Sequence, residues 1–126
     1  MKVLTKTEEQ VMKYLWKLGK GYLKDITAQY PEPAPAYTTV STVVNVLVKK
    51  EFIGFENHGK SREYFPLVSK ANYAKDSLSG MVHTFFNDSP SKFASFFTQQ
   101  NDLSLDELKE IQDMISQEIK KQEGHE

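Results

Sequence analysis

The stretch of residues 37–50 constrains the fold more than any other, because helical spacing separates its apolar residues from its polar ones. One side of the predicted helix is a stripe that would face a core, made of Val40, Val43, Val44 and Leu47. The opposite side and its flanks carry Thr38, Thr39, Ser41, Thr42, Asn45 and, in the last turn, Lys49. Surface helices usually favour Glu and Lys, which are better helix formers than Thr and Asn. An almost uncharged, hydrogen-bonding face therefore indicates a helix that contacts a partner.

Two helices are predicted before this one. Thr5 and Glu8 have the spacing of a capping box, so the first helix should open at Thr5 and stop at Gly19. The second helix is predicted over residues 23–30. Three prolines follow it within residues 31–35, and they prevent the helix from continuing because they lack backbone donors.

Two strands are predicted after the third helix, at residues 52–56 and 61–67, with residues 57–60 as a glycine-containing turn. Pro66 predicts that the second strand lies at the edge of its sheet. Three helices followed by a hairpin, all within residues 1–68, are the order of a winged helix-turn-helix domain. The predicted fold class is mainly α with a small β-hairpin.

In such a domain the third helix enters the DNA major groove, with its N-terminal residues near base edges. The predicted DNA-binding residues are Thr38, Thr39, Ser41, Thr42, Asn45, Lys49, Lys60 and Arg62, the last two beside the hairpin tip. Residues 1–66 hold ten basic against seven acidic side chains, and the remainder holds six against ten, so only the front half suits a polyanion. Winged helices also serve as protein-binding scaffolds, which leaves a protein-interaction module without specific DNA binding as the alternative. A docking surface would more often expose large apolar anchors, and this face offers only Val46.

The back half, residues 69–126, is predicted to be a helical dimerisation domain. Ser69 can cap a helix that residues 87–90 break, residues 93–97 form a short apolar segment, and Ser104 opens a last helix. The segment from Lys120 to Glu126 should fray. A front domain of this size leaves little for the tail to pack against, so a second subunit is the expected partner. The predicted dimer interface consists of Ala74, Leu78, Met81, Val82, Phe85, Leu108, Ile111 and Ile115.

Several classes of protein are excluded or disfavoured. The chain has no cysteine, no apolar run long enough for a membrane span and no signal-peptide pattern, which predicts a cytoplasmic protein. Its three histidines, at positions 58, 83 and 125, are far apart and lack ligand spacing, so no metal site and no cofactor are predicted. No nucleophile constellation or phosphate loop appears, so the chain is not expected to be an enzyme.

Five stretches, taken in order, resemble the penicillinase-repressor family of BlaI/MecI/CopY-type transcriptional regulators. They are TKTEEQVMKYLW from Thr5, YTTVSTVVNVL from Tyr37, KKEFI from Lys49, GKSREYFPLV from Gly59 and DLSLDEL from Asp102. The resemblance spans nearly the whole chain, and the ordered set is more specific than any single stretch.

The resemblance implies a homodimeric repressor that binds a palindromic operator. In the family, a membrane sensor-protease answering a cell-wall antibiotic leads to cleavage of the tail at an Asn-Phe bond. The corresponding bond here is Phe96–Phe97. The Phe after the bond is the same as in the family, but Phe96 replaces the Asn before it, so we interpret both residues as packing residues of the tail. Thiolate copper sensing, known in one branch, is excluded by the absence of cysteine. Relatives often carry Arg at the positions of Ser41 and Asn45, so weaker salt-dependent affinity is expected here.

Overall fold

The computed structural model describes residues 3–124, which form six helices and three short strands. In chain order these are α1 (Lys6–Leu18), β1 (Gly21–Tyr22), α2 (Leu23–Thr27), α3 (Tyr37–Lys49), β2 (Ile53–His58), β3 (Ser61–Pro66), α4 (Lys70–Phe86), α5 (Pro90–Gln100) and α6 (Leu105–Glu123). The predicted fold class is confirmed: the chain is mostly helical, with a winged helix-turn-helix followed by a helical tail. The β2–β3 hairpin is called the wing below.

The capping box predicted at the start of α1 is present. The Glu8 backbone N–H donates to the Thr5 hydroxyl at 3.1 Å, and the Thr5 N–H donates to the Glu8 carboxylate at 2.9 Å. Gly19 ends the helix with a φ of 81°, a conformation that glycine adopts without a steric cost. Both ends of α1 therefore follow from local sequence.

The helix α2 is shorter than predicted, because it ends at Thr27 rather than Tyr30. The N–H groups of Gln29 and Tyr30 bond to the carbonyls of Ile26 and Thr27, at 3.1 and 3.2 Å. Those bonds span three residues rather than four, so the chain closes a tight turn before the prolines instead of adding helix.

The sheet differs from the prediction in having a third strand. Its order is β1-β3-β2, and the unpredicted β1 pairs Gly21 with Tyr64 and Tyr22 with Glu63. The second hairpin strand is therefore central, and its predicted edge position was wrong. Pro66 is tolerated there because the pairing with β1 ends at Tyr64, two residues before it.

The turn of the wing is tighter than predicted. Asn57 and His58 belong to β2, where they pair with Arg62 and Ser61, so that only Gly59 and Lys60 connect the strands. Gly59 has a φ of 64°, as a two-residue hairpin turn requires.

The core lies between the three front helices and the wing. Its buried members are Leu4, Val11, Met12, Leu15, Ile26, Val40, Val44, Leu47, Phe52, Ile53, Tyr64 and Tyr73. The apolar stripe predicted for α3 is confirmed, with Val43 packed partly buried against this core. Tyr73 comes from the start of α4, and its hydroxyl donates to Glu9 at 2.7 Å while accepting from the Leu4 N–H at 3.2 Å.

The chain divides into two compact units, the first ending at Leu78 and the second beginning at Ser79. The first unit extends beyond residue 68 because Tyr73 packs into its core. Whether residues 1–68 and 69–126 behave as separate domains stays a prediction.

The second unit contains the end of α4 together with α5 and α6. The apolar segment at residues 93–97 is part of α5, whose Ser89 cap accepts the Lys92 N–H at 3.1 Å. The prediction of a frayed end was wrong as far as Glu123, because α6 stays helical to that residue; residues 125 and 126 lie outside the described part. No residue between Ser79 and Gly124 is buried. Among the described residues, no helix is long and apolar enough to cross a membrane.

Candidate nucleic-acid interface

The polar side of α3 faces solvent. Thr38, Thr39, Thr42, Asn45 and Lys49 are exposed, and Ser41 is half-buried. The Thr42 hydroxyl donates to the Thr38 carbonyl at 2.9 Å, which leaves its methyl and its lone pairs for an external contact. Among these residues, Asn45 offers both a donor and an acceptor from one amide, the arrangement that pairs bidentately with adenine.

An ion pair fixes the far end of α3 against α1. The Lys50 ammonium donates to both oxygens of the Glu8 carboxylate, at 2.9 and 2.7 Å. Burial raises the pKa of the Glu8 carboxyl, but the hydrogen bonds from Lys50 and from the Thr5 backbone outweigh it, so that this pKa is lowered. Glu8 therefore stays ionised in a buried position and holds the helix that carries the polar face.

The wing presents two cations beside its turn. Lys60 and Arg62 are both exposed, as expected for residues that reach a polyanion. The guanidinium carbon of Arg62 lies 4.2 Å from the centre of the Phe55 ring, so the aromatic face restrains the charged group without removing it from water.

A cleft of about 400 Å³ separates the wing from the starts of α2 and α3. It is lined by Tyr22, Leu23, Lys24, Tyr37, His58, Lys60, Ser61, Arg62 and Tyr64. Three of these side chains are cationic, which makes the cleft suited to a phosphate group. Lys49 lies at the opposite end of α3, about 16 Å from Thr38 at 1.5 Å per residue, and does not line the cleft.

Of the lining residues that the sequence prediction did not include, Lys24 and Tyr37 bear most directly on binding. Lys24 directly follows the first residue of α2, and a basic residue at that helix start was the available signal. Tyr37 is 55% exposed at the first position of α3, so the helix exposes a second large side chain besides Val46, which is 38% exposed. Because aromatic residues are usually assigned to the core, the sequence did not indicate that Tyr37 is exposed.

The residues predicted for the dimer interface remain accessible in the single chain. Phe85 is 74% exposed, Ile115 55%, Met81 49%, Leu78 46% and Leu108 36%; Ala74 is also exposed, and Val82 and Ile111 are half-buried. In the second unit, Phe96 and Phe97 lie in α5. The centre of the Phe96 ring is 5.3 Å from that of Phe86, and the centre of the Phe97 ring is 6.0 Å from that of Phe93.

Comparison with known proteins decides the family. The family model described as Penicillinase repressor matches residues 4–117. The chain belongs to the penicillinase repressor family. This membership confirms the resemblance drawn from the five stretches, and it makes the chain a DNA-binding transcriptional repressor.

Two solved structures are similar to this repressor. A CopR repressor structure is 35% identical, with 54% of this chain and 100% of that chain covered and a TM-score of 0.45. A chain of the Giardia lamblia Hop2–Mnd1 complex is 12% identical, with 94% of this chain and 81% of that chain covered and a TM-score of 0.34. Both superpositions are too loose to add to the sequence match. A comparison with curated proteins found no match.

Proposed function

We propose that this repressor acts in the cytoplasm as a homodimer, binding a palindromic operator with α3 of each subunit in the major groove. The observation that carries the proposal is the exposed, almost uncharged polar side of α3 beside a cationic cleft. A DNA-reading surface needs hydrogen-bonding groups toward the bases and positive charge toward the backbone, and these two features supply one each.

The dimensions of α3 suit the major groove. Its 13 residues extend about 20 Å, and the groove is about 12 Å wide, so the part of the helix from Tyr37 to Asn45 can lie against base edges. Asn45 would pair with an adenine, while the methyl groups of Thr38 and Thr42 would pack against thymine methyls. Ser41 and Thr39 flank this side and would contact the bases or phosphates beside it.

The cationic residues would contact phosphates rather than bases. Lys24, Lys60 and Arg62 line the cleft beside the start of α3, and Lys49 lies at its end. Contacts at both ends of a recognition helix fix its register along the duplex without reading sequence. Four such cations per chain would give binding a marked salt dependence.

Dimerisation is supported by the exposed apolar side chains of the tail. Phe85, Met81 and Ile115 are each about half exposed or more, and the second unit has no buried residue between Ser79 and Gly124. Helices that leave large apolar side chains in water gain stability by packing against another subunit. The same dimer would present two copies of α3 to the two half-sites of a palindrome.

Repression would be released by a membrane sensor-protease or by another inducing system. The Phe96–Phe97 bond lies within α5, and a helical segment must unwind before a protease can bind it in an extended form. With Phe96 in place of the family's Asn, the ring contacts to Phe86 and Phe93 favour a packing role for both residues.

The test is a gel shift with DNA from upstream of the repressor's own gene. Asn45→Ala is expected to weaken binding to an inverted repeat by roughly 5- to 150-fold, equivalent to about 1–3 kcal/mol for a lost bidentate contact, and to leave binding to bulk DNA unchanged. Thr42→Ala should have a smaller effect, because its hydroxyl proton is already donated to Thr38. Asn72→Ala, at an exposed position in α4, is the matched control and should bind as the wild type does.

Weak binding of equal strength to every fragment, unaffected by Asn45→Ala, would overturn the proposal. The alternative, a winged-helix protein-interaction module, would then lead, with exposed Tyr37 and Val46 as its anchors.

A further inference from the structure

One face of the wing gathers two carboxylates and an imidazole. Glu56 lies directly opposite Glu63 in the β2–β3 register, and His58 follows Glu56 by two residues. Side chains two apart on a strand point to the same face, so all three belong to one side of the hairpin. They are separated in sequence by the turn, which is why the spacing of the histidines alone did not reveal them.

The distances between the three groups match those of metal ligands. His58 Nε2 lies 3.3 Å from Glu63 Oε1 and 3.7 Å from Glu56 Oε2, and one potential ligand atom from each residue lies within 4.8 Å of the others. Zinc bonds to nitrogen and oxygen are about 2.1 Å long, so neighbouring ligands in a tetrahedral site are about 3.4 Å apart. Small side-chain rotations would therefore bring the three atoms around one cation.

The local charge favours a cation. Like charges directly opposite each other on adjacent strands are destabilising, and Glu56 and Glu63 form such a pair. The ammonium of Lys20 is 4.0 Å from Glu63 and its side chain is 70% exposed, so it offsets little of this repulsion. The His58 ring lies edge-on to Tyr22, with 6.1 Å between ring centres, which restrains the imidazole near the carboxylates.

We propose that Glu56, His58 and Glu63 form a site on the wing for a divalent transition-metal cation of the Zn²⁺ type. Three protein ligands leave one position for water in a four-coordinate site. The imidazole nitrogen selects Zn²⁺, Ni²⁺ or Co²⁺ over Mg²⁺ and Ca²⁺, which prefer oxygen ligands alone. None of the three residues is a proposed DNA contact, although His58 lines the same cleft as Lys60 and Arg62, and the test of the metal site needs no DNA.

The test is calorimetric titration of Zn²⁺ into the full chain after removal of metal by a chelator. The wild type is expected to bind one Zn²⁺ at this site, and Mg²⁺ at the same concentration is expected not to bind. His58→Ala and Glu56→Gln should each lower the Zn²⁺ affinity by about tenfold or more. Glu56 is 69% exposed, so its variant keeps the fold even if His58→Ala does not.

His83→Ala is the matched control. His83 is also exposed and contacts a carboxylate, Asp88, at 2.9 Å, and no third ligand of the described residues joins that pair. Its variant should bind Zn²⁺ as the wild type does. In parallel, the Nε2 resonance of His58 should shift on addition of Zn²⁺. The proposal is overturned if the wild type binds no Zn²⁺, or if His58→Ala and Glu56→Gln both retain wild-type affinity.

Discussion

Replacing Lys50 by Met would leave the buried Glu8 carboxylate without its cation. The ammonium of Lys50 makes two hydrogen bonds to Glu8, at 2.9 and 2.7 Å, and the side chains of Lys50 and Glu8 are 26% and 8% exposed. Hydrogen bonds to charged groups contribute about 1.5–3 kcal/mol, and breaking a fully buried pair costs about 3–5 kcal/mol. Lys50 is partly solvated, and Glu8 keeps its hydrogen bond from the Thr5 N–H. We therefore expect the free energy of unfolding to fall by about 2 kcal/mol, near the lower end of these ranges.

The measurement is thermal unfolding followed by circular dichroism at neutral pH. For a unit of this size, about 2 kcal/mol corresponds to a fall in Tm of roughly 8–16 °C. Lys49→Met is the matched control, since Lys49 is the neighbouring lysine and is exposed on the polar side of α3. Its free energy of unfolding should stay within about 0.5 kcal/mol of the wild type, while its DNA affinity falls. Equal Tm values for the two variants would refute the role assigned to the ion pair.

The pH dependence gives an independent check on the same pair. A carboxylate whose pKa is lower in the folded state contributes stability that is present above its unfolded pKa and lost as the pH falls through the folded value. The pKa of Glu8 is lowered in this way. The stability difference between the wild type and Lys50→Met should therefore be full at neutral pH and shrink below about pH 4. A difference that stays constant down to pH 3 would mean that Glu8 is not its source.

Three further predictions address the wing, the DNA contacts and the tail. Gly54→Ala should cost about 1–3 kcal/mol in urea unfolding, because its Cβ would lie 2.8 Å from a ring carbon of Phe65; unchanged stability would show that the ring moves freely. Arg62→Gln should reduce the slope of log affinity against log salt by about 0.9 per chain, whereas Arg62→Lys should preserve it, and equal slopes for both would argue against a phosphate contact. Phe85→Asp should shift the sedimenting species from dimer to monomer, since this residue is 74% exposed in the single chain; a persistent dimer would remove Phe85 from the interface.

Local sequence determined the elements whose ends depend on neighbouring residues. The capping boxes at Thr5 and Ser104 start α1 and α6, and Gly19 ends α1, because each requires only a side chain or a free φ within one turn. The two sides of α3 were also predictable, since helical periodicity assigns core and solvent positions without knowledge of the partner.

Tertiary structure decided the features that depend on pairing between distant residues. The two-residue strand β1 is too short to carry a periodic signal and exists only because Tyr64 and Glu63 bond to it, which in turn makes β3 central. The cleft likewise brings Lys24 and Tyr37 to the wing from other elements. The convergence of Glu56, His58 and Glu63 depends on strand register, and a shift of one residue would send a strand's side chains to the opposite face. The polar side of α3 and its residue types therefore follow from the sequence alone. Which charged groups lie beside α3 depends on the pairing of distant strands.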